Sequence, residues 1–420
     1  MRILIITNVF HPSNMIGAFR MNAFARYFSR AGHDVTVIAE GAEDVNESWE
    51  GCDVRYVSDP IVRNYSYLSS RIYDGRWSMR RAVKALEYRL TLNSSLWCRK
   101  AIAASRRVMA GGRIDAVLST GGHDMVSHRC ALKLKREFPE VYWIADMRDE
   151  LRVPRLKYAI PLLHRLSLRR LKKAMKMTLD MSDLILSVSK PIVDDLRRAS
   201  SHGRVLEICN GYDYPEVYDC CFQDRFTMMY LGRFYPGIHP DNLFGAYVEL
   251  IDEGRLPADC VIKIVGNPLK IDIPDALRSN VVELPIVDHD EAVRMSIEEC
   301  DALLMIYSRR AGRKGVYSGK LLDYLATNKP ILAISDPGDV VGDLMRDTGA
   351  GYAVDEDDIP AIKSAVMKCY DLWLNRRTMP RDWDRIKEFR RSRQVGKLLD
   401  YLAGNMTDGS GQCGNKCVGV

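Results

Sequence analysis

Short apolar runs recur along the chain, each followed by a small-residue turn and then by residues at helical spacing. Arg2–Ile6 reads as a buried strand, a loop follows through Gly17, Arg20–Ala31 reads as a helix closed by Gly32, and Val35–Ile38 is the next strand. That order predicts the opening βαβ unit of a doubly wound sheet. The pattern repeats at Ile114–Ser119, Val141–Ala145 and Asp183–Ser189, with helices running through Lys135 and from Pro191 to Ala199. A second series begins at Phe226–Leu231 and continues through Val261–Val265, Val281–Leu284, Asp301–Tyr307 and Pro330–Ile334. Helices are expected at Ile359–Leu374 and, as one terminal element, at Trp383–Leu402.

The stretch Gly315–Ala326 concentrates the most chemistry. It follows the apolar run to Tyr307 and a basic loop carrying Arg309, Arg310, Arg313 and Lys314. Ser318 is placed to cap a helix, because its hydroxyl can accept a backbone N–H two or three residues on. Leu321, Leu322 and Leu325 give that helix an apolar face, and Asn328-Lys329-Pro330 ends it. A helix start with free N–H groups suits a phosphate. Gly319 permits close approach, Lys320 adds positive charge, and Asp323 is suited to accept hydrogen bonds from sugar hydroxyls.

Ligands of doubly wound sheets bind at the carboxyl ends of strands, which brings further residues into view. Gly17 and Arg20 follow the first strand, and Thr120–Asp124 follows the strand at Ile114. There His123, after two glycines, is favoured as a site residue over His128, which falls inside the next helix. With that strand's neighbour ending near Ala145, Asp146, Arg148 and Asp149 are expected to project into a ligand cleft. The two carboxylates fit either acceptor orientation or structural bracing.

Charge matters here through its location, since the net charge is only +6 over 420 residues. Arg165, Arg169, Lys172 and Lys176 share one helical face, and Leu168, Leu171 and Met175 share another, as in an amphipathic helix that docks on anionic lipid headgroups. Tyr65–Arg107 mixes arginines with aromatic residues but contains no nucleic-acid-binding module; an acceptor-side or membrane-facing surface is the alternative to a solvated helical pair. No apolar run is long enough to span a membrane and no leader precedes Met1–Ile6, so a cytoplasmic location is expected. The 11 cysteines lack zinc-like spacing; Cys130, Cys260, Cys300 and Cys369 sit in apolar contexts as small core residues.

The stretch around Ser318–Ala326 resembles the donor-site motif of GT-B glycosyltransferases of family four, which are retaining enzymes: a small-residue turn, Lys, an apolar pair, an acidic residue, then Tyr-Leu-Ala. Three more stretches are similar in order and spacing: the first strand with Gly17 and Arg20, Trp143–Asp149, and Asn210–Asp213. The resemblance implies a GT-B α/β fold, two Rossmann-like doubly wound domains facing a cleft. Residues 1–212 would form the acceptor-side domain and 213–380 the nucleotide-sugar domain. Residues 381–404 would form a helix crossing back, and 405–420 a disordered tail.

It further implies that Asp323 holds the ribose of a nucleotide-sugar, and that Gly17, Arg233, Tyr317, Ser318, Gly319 and Lys320 contact the donor. His123, Arg233 and Lys320 would act in catalysis, with Arg20, Asp146, Arg148 and Asp149 on the acceptor side. Two positions depart from the family pattern. Gly315 stands where many members carry a second acidic residue against the donor sugar, and Ile238 or His239 falls where a second cation is usual. The expected activity is retaining transfer from a nucleotide-sugar, most simply a UDP-sugar, to a glycan or lipid-linked acceptor in surface polysaccharide or glycolipid synthesis. The enzyme would be of the hexosyl- or N-acetylhexosaminyl-transferring type, with no cofactor and no metal. It would be peripheral on the inner face of the cytoplasmic membrane. The alternatives are a UDP-sugar 2-epimerase on the same fold, or a non-catalytic, membrane-docked member.

Overall fold

A computed structural model of the chain describes residues 1–13, 16–58, 95–121, 125–148, 161–234, 238–267, 271–307, 315 and 317–406. They divide into two compact units, Met1–Cys209 with Ser392 onward, and Asn210–Arg391.

The first unit contains β1 (Arg2–Thr7), α1 (Ile16–Arg30), β2 (Asp34–Gly41), β3 (Val45–Trp49), β4 (Cys52–Ser58), α2 (Ser95–Ala110), β5 (Ala116–Gly121) and α3 (Val126–Glu137). It continues with β6 (Tyr142–Met147), α4 (Pro161–Met181), β7 (Leu184–Ser187), α5 (Lys190–Ala199) and β8 (Val205–Glu207). Its sheet runs β3-β4-β2-β1-β5-β6-β7-β8, parallel throughout except for the antiparallel edge pair β3–β4. The second unit contains β9 (Thr227–Leu231), α6 (Asp241–Asp252), β10 (Val261–Val265), β11 (Val281–Leu284), α7 (His289–Glu298), β12 (Ala302–Ile306) and α8 (Gly319–Leu325). It continues with β13 (Ile331–Ile334), α9 (Val340–Thr348), β14 (Gly351–Val354), α10 (Ile359–Leu374) and α11 (Trp383–Lys387). The order β11-β10-β9-β12-β13-β14 is wholly parallel.

Both sheets grow outward in two directions from their first parallel strand, which creates a switch point beside β1 and another beside β9. The central strands are sealed on both faces: Ile3–Ile6 and Leu303–Ile306 are buried, as parallel strands covered by helices require. Cys130, Cys260, Cys300 and Cys369 are all buried.

Three expectations need correction, and one element was not anticipated. The first helix begins at Ile16, so Gly17 lies in its first turn rather than in a loop; the buried stripe of Ala18, Met21, Ala25 and Phe28 already starts there. β6 extends to Met147, because its parallel register with β5 persists to Gly121↔Met147. Asp146 is therefore a strand residue. The β3–β4 hairpin had no counterpart in the sequence pattern: Val45–Ser48 are all exposed, so no alternation marks the strand, and the turn rests on Glu50 and Gly51 at positive φ.

The terminal helix is two helices, α11 and α12 (Arg391–Met406). Between them Phe389 and Arg391 spend backbone hydrogen bonds on Tyr212, at 3.2 and 3.0 Å, instead of on a helical ladder. This crossing crowds Gly211, whose missing β-carbon would sit 2.3 Å from the Phe389 carbonyl oxygen. Residues 381–391 consequently stay with the second unit, where the buried Arg381 donates to the Leu325 and Ala350 carbonyls. Val395, Leu398 and Leu402 of α12 pack into the first unit's core. His123, Asp149, the four basic residues of the 308–314 loop, most of the arginine-aromatic segment and the tail beyond 406 lie outside the described residues.

Candidate functional site

In the second unit, β9 ends at Leu231 and turns through Gly232 at φ +108°. α8 starts close by, because Tyr324 on it takes the Leu231 N–H on its hydroxyl at 3.3 Å. Ser318 caps α8, accepting from Leu321 N at 3.1 Å, and donates its own N–H to the Tyr307 hydroxyl. Leu321, Leu322 and Leu325 are buried, whereas Tyr317, Ser318, Gly319 and Lys320 stay half-buried; the helix start is not sealed in the core.

Lys320 stretches over the Tyr230 ring, 5.2 Å from its centroid. Its ammonium occupies the space that Gly232 leaves open: a β-carbon at 232 would come within 2.0 Å of Nζ. Burial pushes this amine down to about 8. Arg233 follows directly, half-buried, with its carbonyl accepting from the Tyr230 hydroxyl at 3.1 Å.

One turn along α8, on the same side as Lys320, stands Asp323. Its carboxyl is 12% exposed and Oδ1 has no hydrogen-bond partner. Oδ2 lies 3.7 Å from Nε2 of His289, the first residue of α7, whose start is capped by Asp288. Burial raises the Asp323 carboxyl to about 7; Arg391 opposes this and Asp213 reinforces it, the two being ion-paired at 3.0 Å. Burial and then Arg391 lower the His289 pKa, and the Tyr214 ring packs 5.6 Å from its imidazole. The result is a half-buried cation and a largely buried acid with an unused oxygen, about one helical turn apart.

In the first unit, the carboxyl ends of β1, β5 and β6 carry another polar cluster. Arg20 and Asp146 form a buried ion pair: Arg20 Nη2 lies 2.8 Å from Oδ1, and Nε reaches both oxygens at 3.1 Å. Arg20 Nη1 donates to the Cys209 carbonyl and Thr120 Oγ1 to Asp146 Oδ2. Burial alone would raise the Asp146 carboxyl, but the Arg20 charge and hydrogen bonds outweigh it and hold the group below its ordinary range. Arg148 lays its guanidinium against Gly17, where a β-carbon would meet Nη1 at 2.7 Å.

This architecture is shared with solved glycosyltransferases. The lipopolysaccharide outer core galactosyltransferase WaaB matches with a TM-score of 0.53 at 13% identity, over 96% of this chain and 99% of its own. A glycosyltransferase from Rickettsia africae gives 0.54 at 11% identity, over 97% and 99%. A variant of S. aureus TarM, solved with fondaparinux, α-GlcNAc-glycerol and UDP, gives 0.50 at 8% identity, over 97% of each chain. No curated protein matches the sequence. Residues 19–214 match the model of Glycosyltransferase Family 4. The fold is that of the GT-B glycosyltransferases.

The predicted site residues fall into two groups. Tyr317, Ser318, Gly319, Lys320 and Asp323 gather around α8, with Arg233 just past Gly232. Gly17, Arg20, Asp146 and Arg148 gather at the strand ends of the first unit. Arg20 and Asp146 are 5% and 0% exposed and engaged with each other, which is the geometry of bracing rather than of open ligand contact. Gly315, at positive φ, donates its N–H to both oxygens of Asp339, at 2.9 and 3.0 Å.

Sequence reasoning missed the company Asp323 keeps. His289 and Arg391 lie far from it in sequence, and no local pattern ties them to it. It also set aside His128, which is fully buried beside Gly121. On α4, Arg165, Arg169, Lys172 and Lys176 are all exposed and Leu171 is buried. Among the described residues no helix is long and apolar enough to cross a membrane, and no group of three or more His, Cys, Asp or Glu is placed to hold a metal ion.

Proposed function

We propose that this chain is a family-four glycosyltransferase that moves a hexosyl or N-acetylhexosaminyl group from a UDP-sugar to a lipid-linked or glycan acceptor, with retention at the anomeric carbon. The observation that carries this reading is the pairing of Lys320 with Asp323 on one side of α8. Asp323 offers a buried carboxylate oxygen without a partner, which suits a donor such as a ribose hydroxyl. Lys320 places a desolvated ammonium at the end of β9, where a diphosphate's charge grows as the sugar–oxygen bond breaks. The bond from the anomeric carbon to the leaving phosphate oxygen breaks and a bond to the acceptor oxygen forms. The acceptor's proton leaves with the departing diphosphate. Arg233 is the further cation suited to that diphosphate, and the UDP bound in the TarM complex is the same class of ligand.

Incubation with a panel of nucleotide-sugars, followed by the appearance of free nucleotide, tests the reading. Slow hydrolysis of a UDP-sugar is the expected result. A panel with no hydrolysis, combined with no calorimetric binding of UDP, would refute it.

The acceptor side carries its own expectation. The exposed basic face of α4 supports docking on an anionic cytoplasmic membrane surface, each cation near the headgroups contributing on the order of 1 kcal/mol. Lys172→Gln should therefore weaken binding to phosphatidylglycerol vesicles by about fivefold. Flotation that does not change for Lys172→Gln or Arg169→Gln would make this face ordinary solvated surface.

A further inference from the structure

In the first unit, α2 and α3 pack against each other and meet at a pair of thiols. Cys98, early in α2, and Cys130, early in α3, hold their sulfurs 2.9 Å apart, with the Cys130 thiol donating to Cys98 Sγ. Cys130 Sγ also lies 3.7 Å from the Cys98 carbonyl oxygen, so two contacts turn it toward that residue. A neighbour pins each cysteine. Trp97 Nε1 donates to the Val57 carbonyl at 3.1 Å, which fixes the start of α2 against β4. His128 Nδ1 lies 2.9 Å from Ser119 Oγ, which ties the start of α3 to β5. Ala101 of α2 and Ala131 of α3 are buried in the same apolar cluster, and such small residues let the two helices come close.

This pair differs chemically from the other core cysteines. Burial pushes the Cys52 and Cys260 thiols up to about 11, and those of Cys300 and Cys369 up to about 12. A thiol raised that far is inert, because the thiolate is the nucleophile. The Cys98 thiol moves the other way: the hydrogen bond from Cys130 lowers it most, burial opposes, and the Arg129 charge lowers it further. Cys98 also keeps 8% of its surface open, whereas Cys130 is closed at 0%. Cys98 is thus the better nucleophile and the more accessible of the two, and Cys130 stands behind it, a small approach away from the bonded distance of about 2.0 Å.

We propose that Cys98 and Cys130 form a reversible disulfide site that reacts with peroxides, Cys98 attacking and Cys130 resolving. The Cys98 thiolate attacks one oxygen of hydrogen peroxide and the O–O bond breaks. The departing oxygen takes up the proton that Cys98 released and leaves as water, and Cys98 is then a sulfenic acid. The Cys130 sulfur attacks the Cys98 sulfur, the S–O bond breaks, and the hydroxide leaves as water with the Cys130 proton. The two thiols together give up two electrons, and one peroxide is reduced to two waters. The cysteines stand 32 positions apart, so the bridge joins α2 to α3 and closes a long loop, which restricts the unfolded chain and locks the two helices together. The site is independent of the transferase reading above.

The test is peptide mapping of the full-length protein after treatment with hydrogen peroxide, the remaining thiols being alkylated in denaturant without reductant. Trypsin releases Cys98 within residues 90–99 and Cys130 within residues 130–133, and neither peptide holds another cysteine. The two peptides should appear joined, two hydrogens lighter than their sum, and should separate on addition of dithiothreitol. The joined protein should melt about 5 °C higher than the thiol form. In Cys130→Ser, peroxide should leave a sulfenic acid that dimedone labels at Cys98; in Cys98→Ser, Cys130 should remain a thiol. Full alkylation of both peptides after treatment of the folded wild type would overturn the site. So would an equal yield of the joined pair from folded and urea-unfolded protein, since the fold would then contribute nothing. Dimedone on Cys130 of Cys98→Ser, with none on Cys98 of Cys130→Ser, would overturn the order of attack. A joined form that melts no higher than the thiol form would overturn the lock between the helices.

Discussion

Lys320→Met should lower kcat/KM for sugar transfer by about a hundred- to a thousandfold, the loss typical when a preorganised group that stabilises developing negative charge is removed. The expectation rests on where the amine is held. Gly232 leaves room for the side chain, Tyr230 supports it from below, and burial brings its pKa to about 8. A lysine in that range is cationic at pH 7 and loses its charge as the pH rises through 8. Asp323, raised to about 7, becomes an acceptor-only carboxylate as the pH rises through 7. Since kcat/KM reports the groups of the free enzyme, it should rise through about 7, fall through about 8 and peak narrowly between. In Lys320→Met the alkaline limb should disappear along with the rate. A variant with kcat/KM within about threefold of wild type, or with an unchanged alkaline limb, would remove Lys320 from the chemistry. Gly232→Ala should imitate part of the defect, because a methyl group there collides with the ammonium.

Much of this was legible along the chain because parallel strands covered on both faces must be continuously apolar. Leu303–Ile306 and Ile331–Ile334 announce themselves for that reason. The Ser318 cap was legible too, since capping depends on residues three apart in sequence. What stayed hidden depends on partners distant in sequence. The break between α11 and α12 exists because Tyr212 captures the backbone at Phe389 and Arg391, a contact no local propensity encodes. Edge strand β3 is polar along its length, so its identity comes wholly from pairing with β4. His128 looked like an interior helix residue, as it is. What spacing could not show is its hydrogen bond with Ser119, which also accepts from Trp143 on the neighbouring strand. Arg20 and Asp146 were recognisable as chemically significant, but the choice between bracing and ligand contact needed their burial, which spacing does not give.

Asp323→Asn should abolish measurable UDP binding in calorimetry and at the same time make the protein more stable at pH 8. The two effects share one cause. An aspartate whose pKa rises on folding binds its proton more tightly in the folded chain than in the unfolded one. Its contribution to stability therefore falls as the pH climbs from the ordinary carboxyl value of 3.8 through about 7, and above that the full cost of a buried charge is present. A shift of this size corresponds to roughly 4 kcal/mol. Asparagine escapes that cost but leaves an amide with few partners, because Oδ1 has none and the His289 nitrogen is 3.7 Å away. The orphaned amide returns about 2 kcal/mol of the gain, so a net stabilisation of about 2 kcal/mol is expected at pH 8. Below pH 4, where both side chains are neutral, the charge cost is gone and only the orphaned amide remains, so the difference should change sign and leave the variant less stable by about 2 kcal/mol. Denaturant titrations of the two proteins at pH 4 and pH 8 measure it directly. A functional acid held at a loss in stability predicts this inverse pattern, with ligand lost and fold gained. An Asp323→Asn protein that is less stable than wild type at pH 8 would mean that Arg391 and His289 stabilise the carboxylate in the folded chain. Its role would then be structural, and the nucleotide would have to be held elsewhere.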